Sequence, residues 1–530
     1  MGQDPGAPGS VRCGHRGAGL PGAGDRKLTR GETGMFRALV TNPPWPGDGY
    51  GARASVRWPH KRKDKKLEYP IFLSYAVALA RQAGIETSFL DGVCDELGIE
   101  DYAVEVNRLA PDFIAMECST PSIDHDLGSV RRIKELRPRT IVALMGSHAT
   151  YFHRQLLEEH PHVDAIIRGE FEIAIREIAL ALKNGTPLSQ VAGLTFREGG
   201  SIRVNPDRPF DFDLDSWPYP ARDIIPIEKY QTAQYQGKNG TFMLSSRGCP
   251  YRCTFCLWPG TMVGRDFRAR KPESVVDEME HLVKTYGVDD IYFDDDTMTI
   301  DRERLLQICR LIQERELKVH WIAMGRVDTV DEELLSQMRK AGCDNIYLGV
   351  ESGSQEILKR LKKGIQLSQV EKAFQTARKA GIKTQAFFML GGPGETKETL
   401  KETIEFAIRL DPDNAQFAAA VPYPGTEMYE ESLRKGYLKA ASWEDYAARD
   451  IVLETETLSR LDLEKARLEA YRRFYLRPRF ILRTALRLTN VREFRRVLRG
   501  TLSIASRLVY FSRNVRRKIR STPSGALENA

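Results

Sequence analysis

Two successive series of alternating apolar strands and helices constrain the fold of this 530-residue chain more than any other feature. In the first series, between residues 35 and 185, the predicted strands are 36–41, 86–90, 113–118, 140–145 and 164–168. This alternation is typical of an α/β fold with a parallel, doubly wound sheet, whose ligands bind at the carboxyl ends of the strands. In the second series the predicted strands are 241–246, 289–293, 319–324, 345–350, 383–390 and 414–420. Six strand–helix units of this kind predict a barrel or partial barrel.

These two series divide the chain into five expected parts. Residues 1–34 contain ten glycines and three prolines without apolar periodicity, so we expect a disordered extension, and Met35 is a candidate natural start. A genuine flexible tail is the alternative. The other four parts are a doubly wound domain (35–200), a linker (201–238), a barrel domain (239–440) and a basic helical C-terminal region (441–530).

The composition excludes several classes of protein. Hydrophobic residues make up 42% of the chain and charged residues 28%, which excludes a wholly disordered or fibrous protein. No run of 18 apolar residues occurs, so we expect no transmembrane helix. Eight cysteines are too few for a disulfide scaffold, and their clustering indicates metal or redox chemistry in an intracellular protein.

The strongest indication of chemistry is a group of three cysteines after the first strand of the second series. Ser246-Arg-Gly-Cys249-Pro-Tyr-Arg-Cys253-Thr-Phe-Cys256 spaces these cysteines by four and three residues. Thiolates are soft ligands that suit iron–sulfur clusters or zinc. Three ligands on a four-iron cube leave one iron without a protein ligand, which is the open site that a catalytic centre needs. A zinc site completed by a distant histidine and an inert cysteine loop are the alternatives.

This CxxxCxxC pattern, with an aromatic residue before its last cysteine, resembles the radical S-adenosylmethionine superfamily over roughly residues 240–435. The resemblance implies a TIM-like partial (β/α)6 barrel and a 4Fe–4S cluster, whose ligands would be Cys249, Cys253 and Cys256. It also implies S-adenosylmethionine bound at the open iron, a 5′-deoxyadenosyl radical, and a one-electron reductant such as flavodoxin or ferredoxin. The expected contacts to S-adenosylmethionine are Phe255, Asp294, Glu351, Ser352 and Gly391. Taken singly, the aspartate could be a helix cap and the glycine an ordinary tight turn.

The doubly wound domain, placed directly before such a barrel, resembles the Rossmann-like cobalamin-binding domain of one class in this superfamily. Its strand-end loops would contact cobalamin through Asn42, Ser119, Thr120, Gly146, Ser147, His148 and Gly169. The DxHxxG loop, whose histidine binds cobalt in other cobalamin proteins, is missing after the first strand. We therefore expect cobalt without a protein imidazole ligand, and we favour a plain loop role for His148 over a ligand role.

The segment from Cys256-Leu-Trp-Pro259 to Arg270 resembles a narrower subgroup, which contains hopanoid-modifying and anaerobic tetrapyrrole-cyclising radical enzymes. No motif here fixes the reaction within this subgroup. The resemblance to the cobalamin-binding class implies methylation of an unactivated carbon, by way of methylcobalamin, in a small-molecule substrate, for which a lipid is one candidate. Radical cyclisation or rearrangement without net methyl transfer is the alternative, and a cobalamin or redox sensor is the non-enzymatic one. The candidate catalytic residues on the cavity loops are Tyr251, Arg265 and Tyr423.

Positive charge is concentrated in the C-terminal region. Residues 471–520 contain sixteen Lys or Arg and one acid, Glu493, whereas the rest of the chain is net negative. Apolar residues step by three and four from Val491 to Val509, which predicts a basic amphipathic helix that binds an anionic membrane surface. A helical lid packed on the barrel is an equal alternative. Without an aromatic stacking platform we expect no nucleic-acid partner, and the expected location is cytoplasmic, with peripheral contact at the inner face of the membrane.

Overall fold

The computed structural model describes residues 35–53, 59–63, 65–230, 239–448, 450–486, 505 and 508–516. The predicted disordered extension 1–34 lies outside these residues, as does most of the predicted amphipathic helix between Val491 and Val509. The described residues form two α/β units, each built on its own sheet, followed by C-terminal helices.

The first unit has a seven-stranded sheet within the described residues, in the order β4-β1-β5-β6-β7-β8-β9, and a separate two-stranded ribbon, β2–β3. Its strands are β1 (Arg37–Asn42), β2 (Tyr50–Ala52), β3 (His60–Arg62), β4 (Glu86–Asp91), β5 (Phe113–Glu117), β6 (Ile141–Met145), β7 (Ala165–Ile167), β8 (Leu194–Glu198) and β9 (Ser201–Val204). Its helices are α1 (Ile71–Gln82), α2 (Ile99–Leu109), α3 (Ile123–Leu136), α4 (Ser147–Tyr151), α5 (His153–Glu159) and α6 (Glu172–Asn184).

Alternating side chains along β1 explain why helices cover both faces of this sheet. Ala38 and Val40 join the core that contains α1 and α6, whereas Leu39 joins the core that contains α2 and α3. The chain order reverses at β1, because β4 pairs on one side and β5 on the other, both in parallel. This topology predicts a ligand site at the carboxyl ends of β1 and β5, as in other doubly wound sheets.

The doubly wound prediction is confirmed, with one difference at its far edge. β8 pairs antiparallel with β7, and β9 pairs antiparallel with β8, so the sheet is mixed rather than wholly parallel. The predicted boundary at residue 200 falls inside the turn between β8 and β9, where Gly199 and Gly200 both have positive φ. The sheet therefore continues to Val204, and the linker begins after it.

The second unit is an open barrel of six parallel strands in the order β10-β13-β14-β15-β16-β17. Its strands, together with the β11–β12 ribbon, are β10 (Gly240–Met243), β11 (Ser246–Arg247), β12 (Arg268–Ala269), β13 (Asp290–Phe293), β14 (His320–Gly325), β15 (Cys343–Glu351), β16 (Lys383–Leu390) and β17 (Asn414–Ala419). Within residues 239–448, all of which the structure describes, β10 and β17 do not pair, so the predicted partial barrel is confirmed.

Helices cover the outside of this barrel and continue beyond it, except for the short helix Leu257–Thr261, which lies in the loop between β11 and β12. They are α7 (Leu257–Thr261), α8 (Pro272–Tyr286), α9 (Arg302–Glu314), α10 (Glu332–Lys340), α11 (Gln355–Arg360), α12 (Leu367–Ala380), α13 (Lys397–Leu410), α14 (Glu427–Arg434), α15 (Arg460–Tyr475) and α16 (Pro478–Leu486). α15 packs against α13 and β17.

α15 also covers the edge of β17 that no other strand of the described residues pairs with. The Tyr475 hydroxyl accepts a hydrogen bond from Ala415 N (3.0 Å) and donates one to Ala415 O (2.6 Å). The Tyr471 hydroxyl accepts from Phe417 N at 3.4 Å. Backbone groups at an unpaired strand edge need such partners when they are buried.

Two features of the C-terminal region were not predicted from its sequence. Leu438 and Leu453 form an isolated antiparallel bridge, so the region is not helical throughout. Arg477, Arg479 and Arg483 all lie within 3.3 Å of Asp411 at the end of α13, so these charges are partly used within the fold. Among the described residues, no helix is both long and apolar enough to cross a bilayer.

Phe511 also packs within the fold. Its ring centroid lies 5.4 Å from that of Tyr471, and the Arg467 guanidinium lies 4.2 Å from the Phe511 ring. This contact attaches residues 508–516 to α15 and agrees with the alternative of a packed helical lid for that part of the region.

The edge-covering role of α15 gives a first prediction. Replacing Tyr475 by Phe leaves the backbone N–H of Ala415 buried without a partner, which costs about 1–3 kcal/mol. We expect the urea midpoint of Tyr475→Phe to fall accordingly, while the half-exposed Tyr219→Phe keeps the wild-type midpoint. An unchanged midpoint in Tyr475→Phe would show that α15 does not stabilise the edge of β17 through this hydroxyl.

Candidate functional site

The three clustered cysteines lie on one loop that a short ribbon closes. β11 and β12 pair antiparallel, Arg247 opposite Arg268, so residues 248–267 form a closed loop after β10. Gly248 begins this loop with a φ of +85°, and a side chain there would meet Asp266 O at 2.1 Å. Only glycine fits this position, because it combines positive φ with close backbone contact.

Two aspartates at the carboxyl end of β13 fix the start of the cysteine loop. Asp295 accepts hydrogen bonds from Ser245 N (2.7 Å) and from the Ser246 hydroxyl (2.5 Å). Asp296 accepts from Gly248 N at 2.8 Å, one residue before Cys249. The neighbouring Asp294, predicted to contact S-adenosylmethionine, is buried at the same strand end, where its N–H donates to Met243 O. That predicted contact stays a prediction.

The three loop cysteines differ from the other cysteines that the structure describes. Cys249, Cys253 and Cys256 are all partly exposed, whereas Cys94, Cys118, Cys309 and Cys343 are buried. Among the described residues, no three or more Cys, His, Asp or Glu side chains converge on a point where a single metal ion could sit. A cluster needs no such convergence, because each thiolate binds a separate iron. The partly exposed thiols therefore fit a cluster, and their ligand role stays a prediction.

A polar cleft of about 140 Å³ adjoins this loop. Cys253 and Cys256 line it together with Arg252, Arg265 and Lys362. The predicted catalytic residue Arg265 is exposed there, and it donates to Tyr251 O. The predicted catalytic Tyr251 is half-buried, with the Arg326 guanidinium 3.4 Å from its ring centroid.

A buried ion pair lies beside the cysteine loop at the end of β15. Glu351, with a φ of +70°, holds Lys363 Nζ at 2.8 Å from its Oε1. Burial alone would lower the pKa of Lys363, but the Glu351 carboxylate outweighs it and the pKa is raised. Gly349 leaves room for the pair, since a side chain there would meet Glu351 Oε1 at 2.4 Å. Lys363 Nζ lies 6.0 Å from the ring of Phe255, so two predicted cofactor contacts, Glu351 and Phe255, adjoin one buried cation.

Two other predicted contacts of S-adenosylmethionine lie in tight turns of the barrel. The Ser352 hydroxyl is buried, 3.1 Å from Thr403 Oγ1, and accepts a hydrogen bond from Ser354 N. Gly391 has a φ of +91°, and its N–H donates to Glu395. Both residues hold the fold locally in this structure, and their proposed cofactor contacts stay predictions.

Tyr423 lies at the junction of the two units, and its catalytic role stays a prediction. It is buried, and its hydroxyl points at two carbonyl oxygens, those of Tyr446 (2.9 Å) and Pro59 (3.2 Å). Pro59 belongs to the first unit, so this side chain joins the barrel to that unit. Burial also raises the pKa of Tyr423, which keeps its proton in place.

The carboxyl ends of β1 and β5 hold a buried arginine that sequence reasoning missed. Arg53 donates to Asn42 Oδ1 (2.5 Å), Pro43 O (2.8 Å) and Asp126 Oδ1 (2.6 Å). Burial raises the pKa of Asp126 to about 6 even though Arg53 opposes the shift. The predicted cobalamin contact Asn42 also donates to Asp91 Oδ1 at 2.8 Å, so its amide is engaged on both sides.

His148 is buried where the loops after β5 and β6 meet. Its Nδ1 lies 3.2 Å from the hydroxyl of Thr120, and its ring packs against Phe152 and Trp443. Burial lowers the pKa of His148 to about 3, so the imidazole is neutral. Gly146 has a φ of +113°, and a side chain there would meet Cys118 O at 2.3 Å. These contacts agree with a loop role for His148.

A narrow cavity of about 10 Å³ joins the two units. Its lining residues are Arg53, Pro59, Cys118, Ser119, Gly146, Ser147, Leu257 and Trp258. Three predicted cobalamin contacts thus share a wall with the two barrel residues that directly follow Cys256. The hydroxyls of Ser119 and Ser147 and the side-chain-free Gly146 suit a polar-rimmed cofactor at this junction, and the cavity must widen to admit a corrin.

Comparisons with known proteins match both units. The sequence profile of the radical SAM superfamily matches residues 243–407, and that of the B12 binding domain matches residues 62–179. An uncharacterized methyltransferase from Pyrococcus horikoshii is 33% identical over 415 residues, which cover 78% of this chain and 89% of that protein. The chain belongs to the cobalamin-binding radical SAM enzymes.

Similarity to two further proteins supports this family assignment. An anaerobic magnesium-protoporphyrin IX monomethyl ester cyclase from Rubrivivax gelatinosus is 30% identical to this chain. The aligned residues cover 88% of this chain and 82% of the cyclase. The structure of the radical SAM methyltransferase TsrM from Kitasatospora setae, with cobalamin and a 4Fe–4S cluster bound, has a TM-score of 0.61 at 19% identity. It covers 78% of this chain and 84% of that one and shows the same fold. The cofactors of the enzyme are a 4Fe–4S cluster, S-adenosylmethionine and cobalamin.

Gly169, the last predicted cobalamin contact of this radical SAM enzyme, lies in the loop after β7. Its N–H donates to the Thr150 hydroxyl at 3.0 Å, and its φ is +70°. The next residues, Glu170 and Glu172, form ion pairs with Arg247 and Arg268 of the barrel ribbon. Sequence reasoning missed these pairs, because their partners lie far apart in the chain.

The neutral His148 generates a second prediction. Because its folded pKa of about 3 lies below the unfolded value of 6.5, stability is lost as the pH falls from 6.5. One such group makes the free energy of unfolding decrease by about 1.4 kcal/mol for each unit by which the pH falls. We expect His148→Asn, denatured by urea between pH 6.5 and 5, to show a slope shallower by about this amount. An equal slope in both proteins would show that His148 takes up its proton in the folded state.

Proposed function

We propose that this enzyme methylates an unactivated carbon of a small-molecule substrate. The observation that carries the proposal is the cavity shared by the strand ends of the first unit and by Leu257 and Trp258, next to Cys256. When bound, the cluster with S-adenosylmethionine supplies a carbon radical by hydrogen abstraction, and cobalamin supplies the methyl group. A substrate bound at this junction, once the cavity widens, would face both cofactor sites.

Different side chains around the cysteine loop would bind the cluster, orient S-adenosylmethionine and contact the substrate. Cys249, Cys253 and Cys256 would hold the cluster, because their thiols are partly exposed on one closed loop. Glu351 would orient the ribose hydroxyls, since its ion pair with Lys363 holds the carboxylate in place. Tyr251 and Arg265 would meet the substrate or cofactor at the edge of the polar cleft. Tyr423 would hold the two units together, because its hydroxyl is already engaged at the junction.

Radical cyclisation without methyl transfer is the second candidate. The similarity to the cyclase from Rubrivivax gelatinosus favours it, because that similarity extends over both units of this chain. The two reactions form different nucleoside products from S-adenosylmethionine. Methyl transfer produces S-adenosylhomocysteine as well as 5′-deoxyadenosine, whereas cyclisation produces 5′-deoxyadenosine alone.

A third prediction separates these reactions. The reconstituted enzyme is incubated with reduced flavodoxin, methyl-labelled S-adenosylmethionine and a cell extract that supplies small molecules and lipids. We expect labelled methyl in a product and S-adenosylhomocysteine in the mixture. Unlabelled products with 5′-deoxyadenosine as the sole nucleoside product would contradict methyl transfer and favour cyclisation.

Two cysteine variants serve as matched controls in that experiment. Cys253→Ala is expected to lose bound iron, the brown colour and both nucleoside products, because it removes one of three protein ligands. The buried Cys309→Ala is expected to keep all of them. A Cys253→Ala protein with full iron content and turnover would contradict the proposed ligand set.

We further propose that the C-terminal region contacts an anionic membrane surface, where a lipid-like substrate would be reached. α16 supports this proposal, because Ile481, Leu482 and Leu486 are 53%, 62% and 73% exposed. Arginines accompany these apolar side chains, which is the arrangement of a helix that binds a membrane interface. The reductant would be a one-electron carrier such as flavodoxin or ferredoxin.

A fourth prediction tests the membrane contact with vesicles that contain phosphatidylglycerol. The intact protein is expected to sediment with them at low salt and to be released as salt screens the arginines. Leu482→Glu combined with Leu486→Glu should weaken binding at least about tenfold, because burial of each leucine contributes about 1.5–3 kcal/mol. The equally exposed Val104→Glu is the control. An intact protein that stays in the supernatant at low salt would contradict the contact.

A further inference from the structure

The ribbon that closes the cysteine loop brings two like charges together. Arg247 of β11 and Arg268 of β12 are direct cross-strand partners. Like charges directly opposite one another in a ribbon repel, and both of these side chains are buried. The base of the loop that contains Cys249, Cys253 and Cys256 is therefore stable only if the two guanidinium groups are neutralised.

The carboxylates that neutralise them come from the other unit. Glu170 Oε1 lies 2.6 Å from Arg268 Nη2 and 3.3 Å from Arg247 Nη1. Glu172, the first residue of α6, places its Oε1 2.7 Å from Arg247 Nη2. The four side chains are at most 9% exposed. Charges in such a setting are costly to leave without a partner.

Aromatic rings fix the direction of both guanidinium groups. Arg247 lies 4.6 Å from the ring of Trp217 and 5.1 Å from that of Phe72. Arg268 lies 4.7 Å from the ring of Phe210 and donates to Val263 O at 2.9 Å. These rings and the Val263 carbonyl restrict the directions in which the two guanidinium groups can point.

The loop that carries the two glutamates also borders the predicted cobalamin site. Gly169, directly before Glu170, donates to the Thr150 hydroxyl in α4, which follows β6. The carbonyl oxygen of Met262, in the cysteine loop, lies 3.6 Å from the position of a Cβ at Gly169. Residues 168–172 therefore touch both the strand ends of the first unit and the cysteine loop of the barrel.

We propose that Glu170 and Glu172 are positioning residues that set the distance between the cluster and cobalamin. They do so through Arg268 and Arg247, without touching substrate or cofactor. The inference rests on the proposed ligand role of the three cysteines. Loss of one carboxylate leaves a buried guanidinium uncompensated, so the ribbon must shift or repack and the cysteine loop moves with it.

The fifth prediction uses the magnetic coupling between the two cofactors. In the holoenzyme, with cob(II)alamin and the one-electron-reduced cluster, pulsed EPR measures their dipolar coupling and hence a distribution of distances. We expect one narrow distribution in the wild type. In Glu172→Gln the distribution should be on the order of twofold broader, with both cofactors still bound, because the uncompensated Arg247 allows several packings. Glu172→Asp, which restores the carboxylate, should narrow it again.

Controls and a second variant keep the proposal falsifiable. Asp223→Asn breaks the exposed pair with Arg81, which also joins the linker to the first unit, and should leave the distribution unchanged. Glu170→Gln repeats the test if Glu172→Gln does not fold. Failure of both to fold, an unchanged distribution in both, or loss of cobalamin from a folded variant would overturn the proposal. Absence of a cluster signal in the wild type would instead contradict the cysteine ligand set.

Discussion

The open barrel has two edge strands, β10 and β17. The rest of this structure depends on which groups form hydrogen bonds with the backbone of these two strands. Unpaired N–H and C=O groups are costly when buried and invite pairing with other chains when exposed. At one edge, tyrosine hydroxyls from α15 bond to the backbone of β17. At the other edge, β10 ends among arginines, and its continuation becomes the cysteine loop. The edge strand that the open barrel leaves at β10 therefore also positions the loop that contains the three cysteines.

Three arginines donate to backbone carbonyl groups between residues 242 and 245, where β10 ends. Arg222 of the linker donates to Phe242 O, Arg270 to Leu244 O and Arg304 of α9 to Ser245 O. Glu278 of α8 pairs with both Arg222 and Arg270. Burial alone would raise the pKa of Glu278, but the two arginines outweigh it and the pKa is lowered. The carboxylate is thus ionised inside the protein, and it offsets part of the cost of burying the two guanidinium groups.

The same principle extends from the barrel to the first unit. Asp295 and Asp296 bind the backbone and hydroxyl groups that precede Cys249, so the cysteine loop begins at a rigid point. Tyr423 reaches from the barrel to Pro59, and the Tyr151 hydroxyl donates to Glu430 Oε1 at 2.5 Å. Polar groups with specific directions therefore hold the two units together. Since directional contacts fix geometry better than apolar area does, they suit an enzyme that must keep two cofactors facing one substrate.

The sequence by itself determined the two sheets and the cysteine triplet. Alternation of short apolar runs with helices depends on local periodicity, and the spacing of Cys249, Cys253 and Cys256 depends on eight successive residues, so both can be recognised without contacts. Only the tertiary structure decided which polar groups meet. The loop position of Tyr423 does not reveal that its hydroxyl reaches Pro59 of the other unit, and Arg247 meets Glu172 some 75 residues away in the chain. Such pairs form because folding brings strand ends together, and no local pattern records which side chain will then be nearest.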